Sequence, residues 1–161
     1  MPTKRPPETG TVEVLREIQE SLRDLSSELA RLNQLVGEQV DLQPVDLGVL
    51  DLVSRHGPIS PSRLVEMLGI HPATLTGVLD RLSDGGWVER RADPEDRRRI
   101  TVVALRQRGG ELARLYRPMS TSIAEICSTF TPAQLETIRG FLVQIVEAGG
   151  NAILIAGTPE K

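Results

Sequence analysis

Residues 60–105 read SPSRLVEMLGIHPATLTGVLDRLSDGGWVERRADPEDRRRITVVAL, and their pattern is the main indication of the fold. The apolar residues of its second predicted helix, residues 72–84, fall on one face: Leu75, Val78, Leu79 and Leu82. The opposite face is left free to contact a partner. Gly85 and Gly86 then end the helix, and two predicted strands flank an acidic turn that leads into three arginines. Two helices followed by a hairpin predict a winged helix-turn-helix lobe, with the hairpin as its wing.

The segment before this helix supplies the first helix of the pair and the turn between them. Ser60 predicts an N-cap, because its hydroxyl can accept a hydrogen bond from the first helical turn. The helix that follows is expected to bury three apolar side chains, those of Leu64, Met67 and Leu68. Gly69 permits the left-handed backbone conformation that a steep turn between short helices needs. Ile59 is a candidate for a minimal third strand.

The charge of the chain is unevenly distributed. The net charge of −3 by itself argues against a nucleic-acid partner, because phosphate attraction supplies most non-specific affinity. Residues 88–108, however, carry seven arginines and four acidic residues, whereas the rest of the chain carries twelve basic and eighteen acidic residues. Positive charge is therefore confined to the wing region, and the acidic remainder would keep the protein from coating DNA indiscriminately.

Long predicted helices flank the lobe on both sides. Residues 11–40 carry an apolar stripe with alternating steps of three and four: Leu15, Ile18, Leu22, Leu25, Leu29, Leu32 and Val36. Such a helix would be about 45 Å long. Part of the stripe is therefore expected to meet a second chain, the alternative being that it packs only on helices of its own chain. Two more helices are predicted after Gly109 and Gly110, the last opening at the capping box of Thr131 and ending at Gly149 and Gly150.

These patterns predict a mainly α-helical fold with a small β-hairpin wing, of the α+β class: a winged helix-turn-helix lobe plus a helical dimerisation region. Five segments are expected along the chain: a flexible arm (1–10), an N-terminal dimerisation helix (11–42), the DNA-binding lobe (43–108), C-terminal dimerisation helices (109–150) and a tail (151–161). The tail is apolar enough to dock against the protein.

The sequence has few features that favour a membrane protein, a metal site or an enzyme. No apolar run is long enough to span a membrane and the N-terminus lacks the apolar stretch of a signal peptide, so we expect a cytoplasmic protein with no membrane partner. The two histidines and the single Cys127 have no metal-ligand spacing, and no glycine loop or Cys/His pairing indicates an enzyme. We expect no metal and no cofactor. Cys127 is interpreted as a small core residue, the alternative being a redox sensor.

Residues 46–109 resemble the MarR family of bacterial transcriptional regulators. The resemblance is carried by TGVLDRLSDGGWVER at residues 76–90 and by the acid-then-arginine stretch from Asp93 through Arg98 to Leu105. These segments are similar to the family's recognition helix, glycine stop, first wing strand and wing signature, in the same order and spacing. The flanking helices match the family in number and position.

The resemblance implies a homodimer that binds a palindromic double-stranded DNA operator, usually represses transcription, and in many members is released by a small aromatic or amphipathic effector. Two lobes about one helical turn apart would place two recognition helices in successive major grooves and two wings over flanking minor grooves. The dimer would be joined by the N- and C-terminal helices, with these residues at the interface: Leu15, Ile18, Leu22, Ile138, Leu142 and Ile145.

The resemblance also assigns DNA contacts residue by residue. In the recognition helix, the positions facing base edges or nearby phosphates are His71, Ala73, Thr74, Thr76 and Gly77. For His71 and Thr74 the alternative is helix capping. In the wing region and beside it, the contacts to phosphates or the minor groove come from arginines: Arg81, Arg90, Arg91, Arg97, Arg98 and Arg99. For the last three the alternative is a solvated charge run.

Two further expectations concern the wing and the junction behind it. By resemblance, Asp80 of the recognition helix forms an ion pair with Arg98 that fixes the wing. Trp87 is expected to fill the junction between wing and helix. The sequence departs from many relatives in having no arginine near Pro72 or Gly77. This departure keeps open an alternative function, a winged-helix module that serves protein assembly and reads no specific operator.

Overall fold

The computed structural model describes residues 9–92 and 99–156. The elements in chain order are α1 (Thr9–Val40), α2 (Pro44–His56), α3 (Pro61–Leu68), α4 (Pro72–Asp84), β1 (Val88–Ala92), β2 (Ile100–Ala104), α5 (Arg106–Ser128) and α6 (Pro132–Ala156). The predicted fold class, mainly α with one hairpin, is confirmed. Within the described ranges, no helix combines the length and the apolar character needed to cross a bilayer. The chain forms two compact units, Met1–Leu115 and Tyr116–Lys161.

The core of the first unit is aliphatic and lies between α2, α4 and the hairpin. The predicted inner face of α4 is confirmed, because all four of its apolar residues are buried: Leu75, Val78, Leu79 and Leu82. They pack with Leu64 of α3, with α2 and with Val102 of β2. Trp87 is 2% exposed and closes this core at the base of the hairpin, as predicted.

Local capping explains where the short helices start and stop. The Ser60 hydroxyl accepts a hydrogen bond from the backbone N–H of Arg63 at 3.3 Å, which confirms the predicted N-cap of α3. Gly69 ends α3 in the left-handed conformation, with φ of 63°. The capping box at the start of α6 is also present, since Thr131 and Gln134 exchange hydrogen bonds between side chain and backbone N–H. The two caps of α3 fix the turn that leads into α4.

The wing is an antiparallel hairpin held to the lobe at its base. Val88 pairs with Ala104 and Ala92 with Ile100. The predicted third strand is confirmed as a single bridge, in which Ile59 and Val102 exchange two backbone hydrogen bonds of 2.8 and 3.1 Å. This bridge joins the segment before α3 to the second wing strand.

Three sequence-based expectations are corrected. Helix α5 begins at Arg106, so Gly109 and Gly110 lie inside its first turns and do not precede it. Helix α6 continues through Gly149 and Gly150 to Ala156, which makes the first half of the predicted tail helical. Neither pair of glycines adopts the positive φ of a helix stop. Met67, expected to be buried, is 38% exposed, whereas Leu64 is buried and Leu68 is half-buried against the core.

The second unit consists of the rest of α5 and of α6, and none of its described side chains is buried. Its large apolar residues are exposed in the single chain: Ile123, Ile126, Phe130, Ile138, Phe141, Leu142, Val143, Ile145 and Val146. The same holds for much of the stripe on α1, including Leu15, Ile18, Leu25 and Leu29. Apolar surface of this extent is typical of an interaction face.

Candidate nucleic-acid interface

Over its first two turns, the outer face of α4 carries short side chains and no carboxylate. Four of the predicted DNA contacts are exposed there, namely His71, Ala73, Thr74 and Thr76, and Gly77 is half-buried beside them. They lie opposite the four buried residues of the same helix. The structure therefore brings the predicted recognition-helix positions together on one accessible surface.

Two of these residues also have local hydrogen bonds. His71 is the N-cap of α4, and its Nδ1 accepts a hydrogen bond from the backbone N–H of Ala73 at 3.2 Å. The capping role that the sequence left open for His71 is thus present in the structure. The Thr76 hydroxyl donates to the carbonyl oxygen of Pro72 at 3.0 Å, which leaves its methyl group and an oxygen lone pair available.

Arg81 has a strong partner inside the lobe that the sequence did not predict. Its Nη2 lies 2.6 Å from Oδ1 of Asp46, and its Nε lies 3.3 Å from Oδ2 of the same carboxylate. Asp46 is 1% exposed, whereas the Arg81 side chain is 46% exposed. The hydrogen bond to Asp46 raises the pKa of the Arg81 guanidinium, with a smaller opposing effect of desolvation. The predicted phosphate contact of Arg81 remains a prediction, but this side chain already has a structural role.

The carboxylate of Asp80 is held by the first wing strand. Nη2 of Arg90 lies 2.6 Å from Oδ1 of Asp80, and both side chains are partly exposed. This ion pair ties α4 to β1. The predicted partner of Asp80, Arg98, lies outside the described residues, as does Arg97. The Asp80–Arg98 pair therefore stays a prediction. Arg90, for which the resemblance implies a phosphate contact, is a partner of Asp80 in the structure.

The other described arginines of the wing are exposed. Arg91 forms a salt bridge of 2.8 Å with Glu89, two residues before it on the same face of β1. Arg99 is exposed just before β2 begins. Exposed ion pairs of this kind contribute little to stability, so Arg91 can exchange Glu89 for a phosphate at small cost.

Arg108 joins the base of the wing to the end of α4. Its guanidinium carbon lies 3.8 Å from the centroid of the Trp87 ring, and its Nη1 donates to the carbonyl oxygen of Gly85 at 2.7 Å. Its Nε also lies 3.1 Å from Glu111. A Cβ at Gly85 would come within 2.8 Å of the Trp87 ring, so the close approach at this corner requires glycine.

Replacing Arg108 by glutamine is expected to destabilise the protein by about 1–2 kcal/mol, because it removes a cation–π contact and a charged hydrogen bond to a helix end. The measurement is chemical denaturation followed by circular dichroism. Arg106→Gln is the control, since Arg106 is an exposed arginine in the same first turn of α5. Equal midpoints for the two variants would contradict a structural role for Arg108.

Sequence reasoning missed Asp46 and Arg108 as parts of this region. Arg108 follows β2 whereas Trp87 precedes β1, so no local pattern indicates that the two side chains stack. For Asp46, the acid at the third position of α2 signals a capping box, and its carboxylate does accept a hydrogen bond from the Gln43 backbone N–H at 3.0 Å. Nothing local in the sequence indicates its long-range partner.

Across residues 9–92 and 99–156, no group of three histidine, cysteine, aspartate or glutamate side chains is placed to hold a metal ion. Cys127 is a free thiol, half-buried on α5.

Comparison with known proteins places these features in a family. The model of the MarR family matches residues 42–100, which extend from the start of α2 to the second wing strand. The HTH-type transcriptional regulator YcgE of Bacillus subtilis is 32% identical, over 74% of this chain and 78% of its own. The multiple antibiotic resistance protein MarR of Salmonella typhimurium is 30% identical, over 78% of this chain and 98% of its own.

Solved structures agree on the fold. A crystal structure of a MepR point mutant from S. aureus has a TM-score of 0.70 at 15% identity, covering 81% of this chain and 96% of that one. A second MepR mutant, bound to an oligodeoxyribonucleotide, has a TM-score of 0.55 at 16% identity, with the same coverage. Helix α4 exposes a face of short side chains beside an arginine-bearing hairpin, and two relatives are at least 30% identical over most of their length. The chain therefore belongs to the MarR family of transcriptional regulators, which bind DNA through a winged helix.

Proposed function

We propose that the protein is a homodimeric repressor that binds a palindromic operator, with α4 (residues 72–84) in the major groove and the wing (residues 90–101) over the minor groove. The family is one of regulators and not of enzymes. The observation that carries the proposal is the accessible outer face of α4, next to arginines on a hairpin anchored to the same lobe. In a relative of the same fold, a bound oligodeoxyribonucleotide is present. Because its target is chromosomal DNA, we place the protein in the cytoplasm.

The proposed dimer would use the apolar faces of α1, α5 and α6. No described side chain of α5 or α6 is buried in the single chain, and such helices are marginal by themselves because most helical stability comes from packing an apolar face. The predicted interface residues Leu15, Ile18, Ile138, Leu142 and Ile145 are all exposed in the single chain, and Leu22 is half-buried. A second copy supplies an apolar partner of the same composition, and a two-fold axis would pair the two DNA-binding lobes.

The wing would supply much of the affinity and α4 much of the sequence preference. The exposed face of α4 offers methyl groups and a hydroxyl at Ala73, Thr74 and Thr76, which suit contacts to thymine methyl groups and single acceptors. Arginines such as Arg91 and Arg99 suit phosphates and a narrow minor groove. Such a division predicts binding that weakens steeply with salt while its sequence preference changes little.

The deciding experiment is selection of double-stranded DNA from a random pool with the full-length protein, followed by gel shift at several salt concentrations. We expect an enriched inverted repeat whose half-sites are about ten base pairs apart, centre to centre. Specific binding should survive excess competitor DNA. A reporter under a promoter carrying the selected repeat should be less active when the protein is present.

The same experiment tests the alternative function. If the pool yields no preferred sequence and all binding disappears with competitor DNA, the lobe serves protein assembly and not operator reading. The observation that keeps this alternative in view is that Arg81, the sole arginine of α4, is already paired with Asp46.

We further propose that a small aromatic or amphipathic molecule releases the operator, as the resemblance implies. A panel of aromatic acids can be tested by thermal shift, because a ligand that binds the folded state raises its melting temperature by mass action. A true effector should also lower operator affinity at the same concentration. Compounds that raise the melting temperature and leave DNA binding unchanged would count against release.

Gly77→Ala is expected to leave the lobe folded and to weaken operator binding. The nearest neighbour of an added Cβ, Nη1 of Arg81, is 3.7 Å away, and alanine is favoured over glycine in a helix by about 1 kcal/mol. On the DNA side, a methyl group between the helix backbone and a base edge should lower affinity roughly tenfold, the cost typical of one mismatched position. Fluorescence anisotropy and thermal melting measure the two effects. Unchanged affinity would place Gly77 away from the DNA.

A further inference from the structure

The ion pair between Asp46 and Arg81 joins the start of α2 to the last turn of α4. Asp46 occupies the third position of α2, where its Oδ2 accepts a hydrogen bond from the Gln43 backbone N–H at 3.0 Å. Both oxygens of its carboxylate also accept from Arg81, at 2.6 and 3.3 Å. The carboxylate is thus satisfied on both oxygens by one backbone group and one guanidinium.

Burial makes this pair different from the other ion pairs of the lobe. Asp46 is the one buried charged side chain among the described residues, and it lies against a core of valine and leucine. A buried carboxylate is costly unless it is paired and hydrogen-bonded, so the position of the Arg81 guanidinium is strongly constrained. The planar fork of arginine constrains its orientation as well as its distance.

The constraint acts on the helix that would read DNA. Arg81 is one turn after Gly77, and its Nη1 would be the nearest neighbour of a Cβ there, at 3.7 Å. Arg81 therefore connects the exposed face of α4 to a fixed point at the start of α2. A rotation of α4 about its own axis would break one of the two hydrogen bonds to Asp46 and would move Thr76 and Gly77 relative to the lobe.

We propose that Arg81 is a positioning residue of the recognition helix: through Asp46 it sets the rotation of α4, and so determines sequence discrimination, without neutralising a phosphate. The proposal rests on the proposed function, since it assumes that α4 reads DNA. It reassigns Arg81 from the phosphate contacts predicted by sequence to the orientation of the helix.

The test compares operator and scrambled duplex DNA by fluorescence anisotropy across salt, using the full-length protein and the inverted repeat from the selection. Three variants address the pair: Asp46→Asn, Arg81→Lys and Arg81→Gln. The matched controls are Asp51→Asn and Arg55→Lys, which alter an exposed aspartate–arginine ion pair on α2. Urea denaturation gives the folded fraction of each variant, and affinities are expressed per folded molecule.

The expected result is a roughly tenfold lower ratio of operator to scrambled affinity for all three variants, comparable to the loss of one charged hydrogen bond. The slope of log affinity against log salt should stay at the wild-type value, because no phosphate contact is removed. Lysine should fail to rescue, since it keeps the charge and lacks the fork. The double variant Asp46→Asn with Arg81→Gln should be no worse than the poorer single variant.

Several results would overturn the proposal. If Arg81 contacts a phosphate, the slope of log affinity against log salt should fall by about one in Arg81→Gln and stay at the wild-type value in Arg81→Lys. Asp46→Asn should then bind DNA more tightly, because it frees the guanidinium. A purely structural role would appear as reduced stability with the wild-type discrimination ratio. If Asp46→Asn does not fold, Arg81→Lys still decides, since it keeps a cation beside the buried carboxylate. A selection that yields no operator overturns the proposed function as well, whereas unchanged discrimination overturns only the positioning role.

Discussion

Replacing Leu142 by glutamate is expected to convert the protein to monomers and to lower operator affinity by at least about a hundredfold. Leu142 is 45% exposed in the single chain, so a carboxylate there costs little in the monomer. Within an apolar interface the same carboxylate would lose its hydration without gaining a partner, which would destabilise the dimer by roughly several kcal/mol. A monomer binds one half-site, and loses the gain of roughly 10²–10⁴ that linking two binding modules provides.

The matched control is Gln144→Glu, which introduces the same side chain two residues later on α6. Gln144 is exposed, and its side chain only donates to the Gly140 carbonyl oxygen of its own helix. Analytical ultracentrifugation gives the oligomeric state, and circular dichroism verifies that helix content is kept. A Leu142→Glu protein that stays dimeric would show that α6 is not at the dimer interface. Two variants that dissociate equally would indicate a general effect of charge.

Gly37→Ala is expected to destabilise the protein by about 3 kcal/mol, the upper range for forcing extra volume into a packed site. Helix α1 ends in a reversal in which the Leu42 backbone N–H donates to the Gly37 carbonyl oxygen at 2.9 Å, and Asp41 adopts a positive φ of 57°. An alanine Cβ at position 37 would lie 2.3 Å from the carbonyl oxygen of Leu42. Because that neighbour is backbone, only a shift of the reversal itself can relieve the clash.

Gly140→Ala provides the control, since nothing lies within 4 Å of an added Cβ at this position in α6. Alanine should be neutral there or stabilising by up to about 1 kcal/mol, from helix propensity. Thermal and urea denaturation of both variants give the difference in unfolding free energy. A Gly37→Ala midpoint equal to that of the wild type would mean that the end of α1 adapts easily and does not fix the entry to α2.

Local chemistry made much of the DNA-binding lobe predictable from sequence. The buried face of α4 was predictable from the spacing of its apolar residues, namely Leu75, Val78, Leu79 and Leu82. The ends of the neighbouring helix were predictable from its capping residues. Ser60 and Gly69 marked the two ends of α3 because each supplies a specific backbone requirement. The positions of α4 outside its apolar face were then the ones expected to be exposed.

The remaining features depend on contacts between distant residues. The sequence predicts that α5 begins after Gly109 and Gly110 and that α6 ends at Gly149 and Gly150. A helix continues through both pairs, since glycine weakens a helix without obliging it to end. The Asp46 carboxylate meets Arg81 thirty-five residues away, which no local pattern encodes. The partner of Asp80 within the described residues is Arg90, and choosing between arginines of one hairpin requires knowing which strand face points to α4.

The bridge between Ile59 and Val102 has a consequence for the order in which the lobe assembles. The hairpin of β1 and β2 can close from neighbouring residues, whereas the bridge joins backbone groups about forty residues apart. Closing that span costs chain entropy, which is repaid only once α3 and α4 have packed between its ends. The bridge is therefore expected to form late in folding. A chain that has formed its helices but not this bridge would already hold a recognition helix, with the second wing strand not yet joined to the segment before α3.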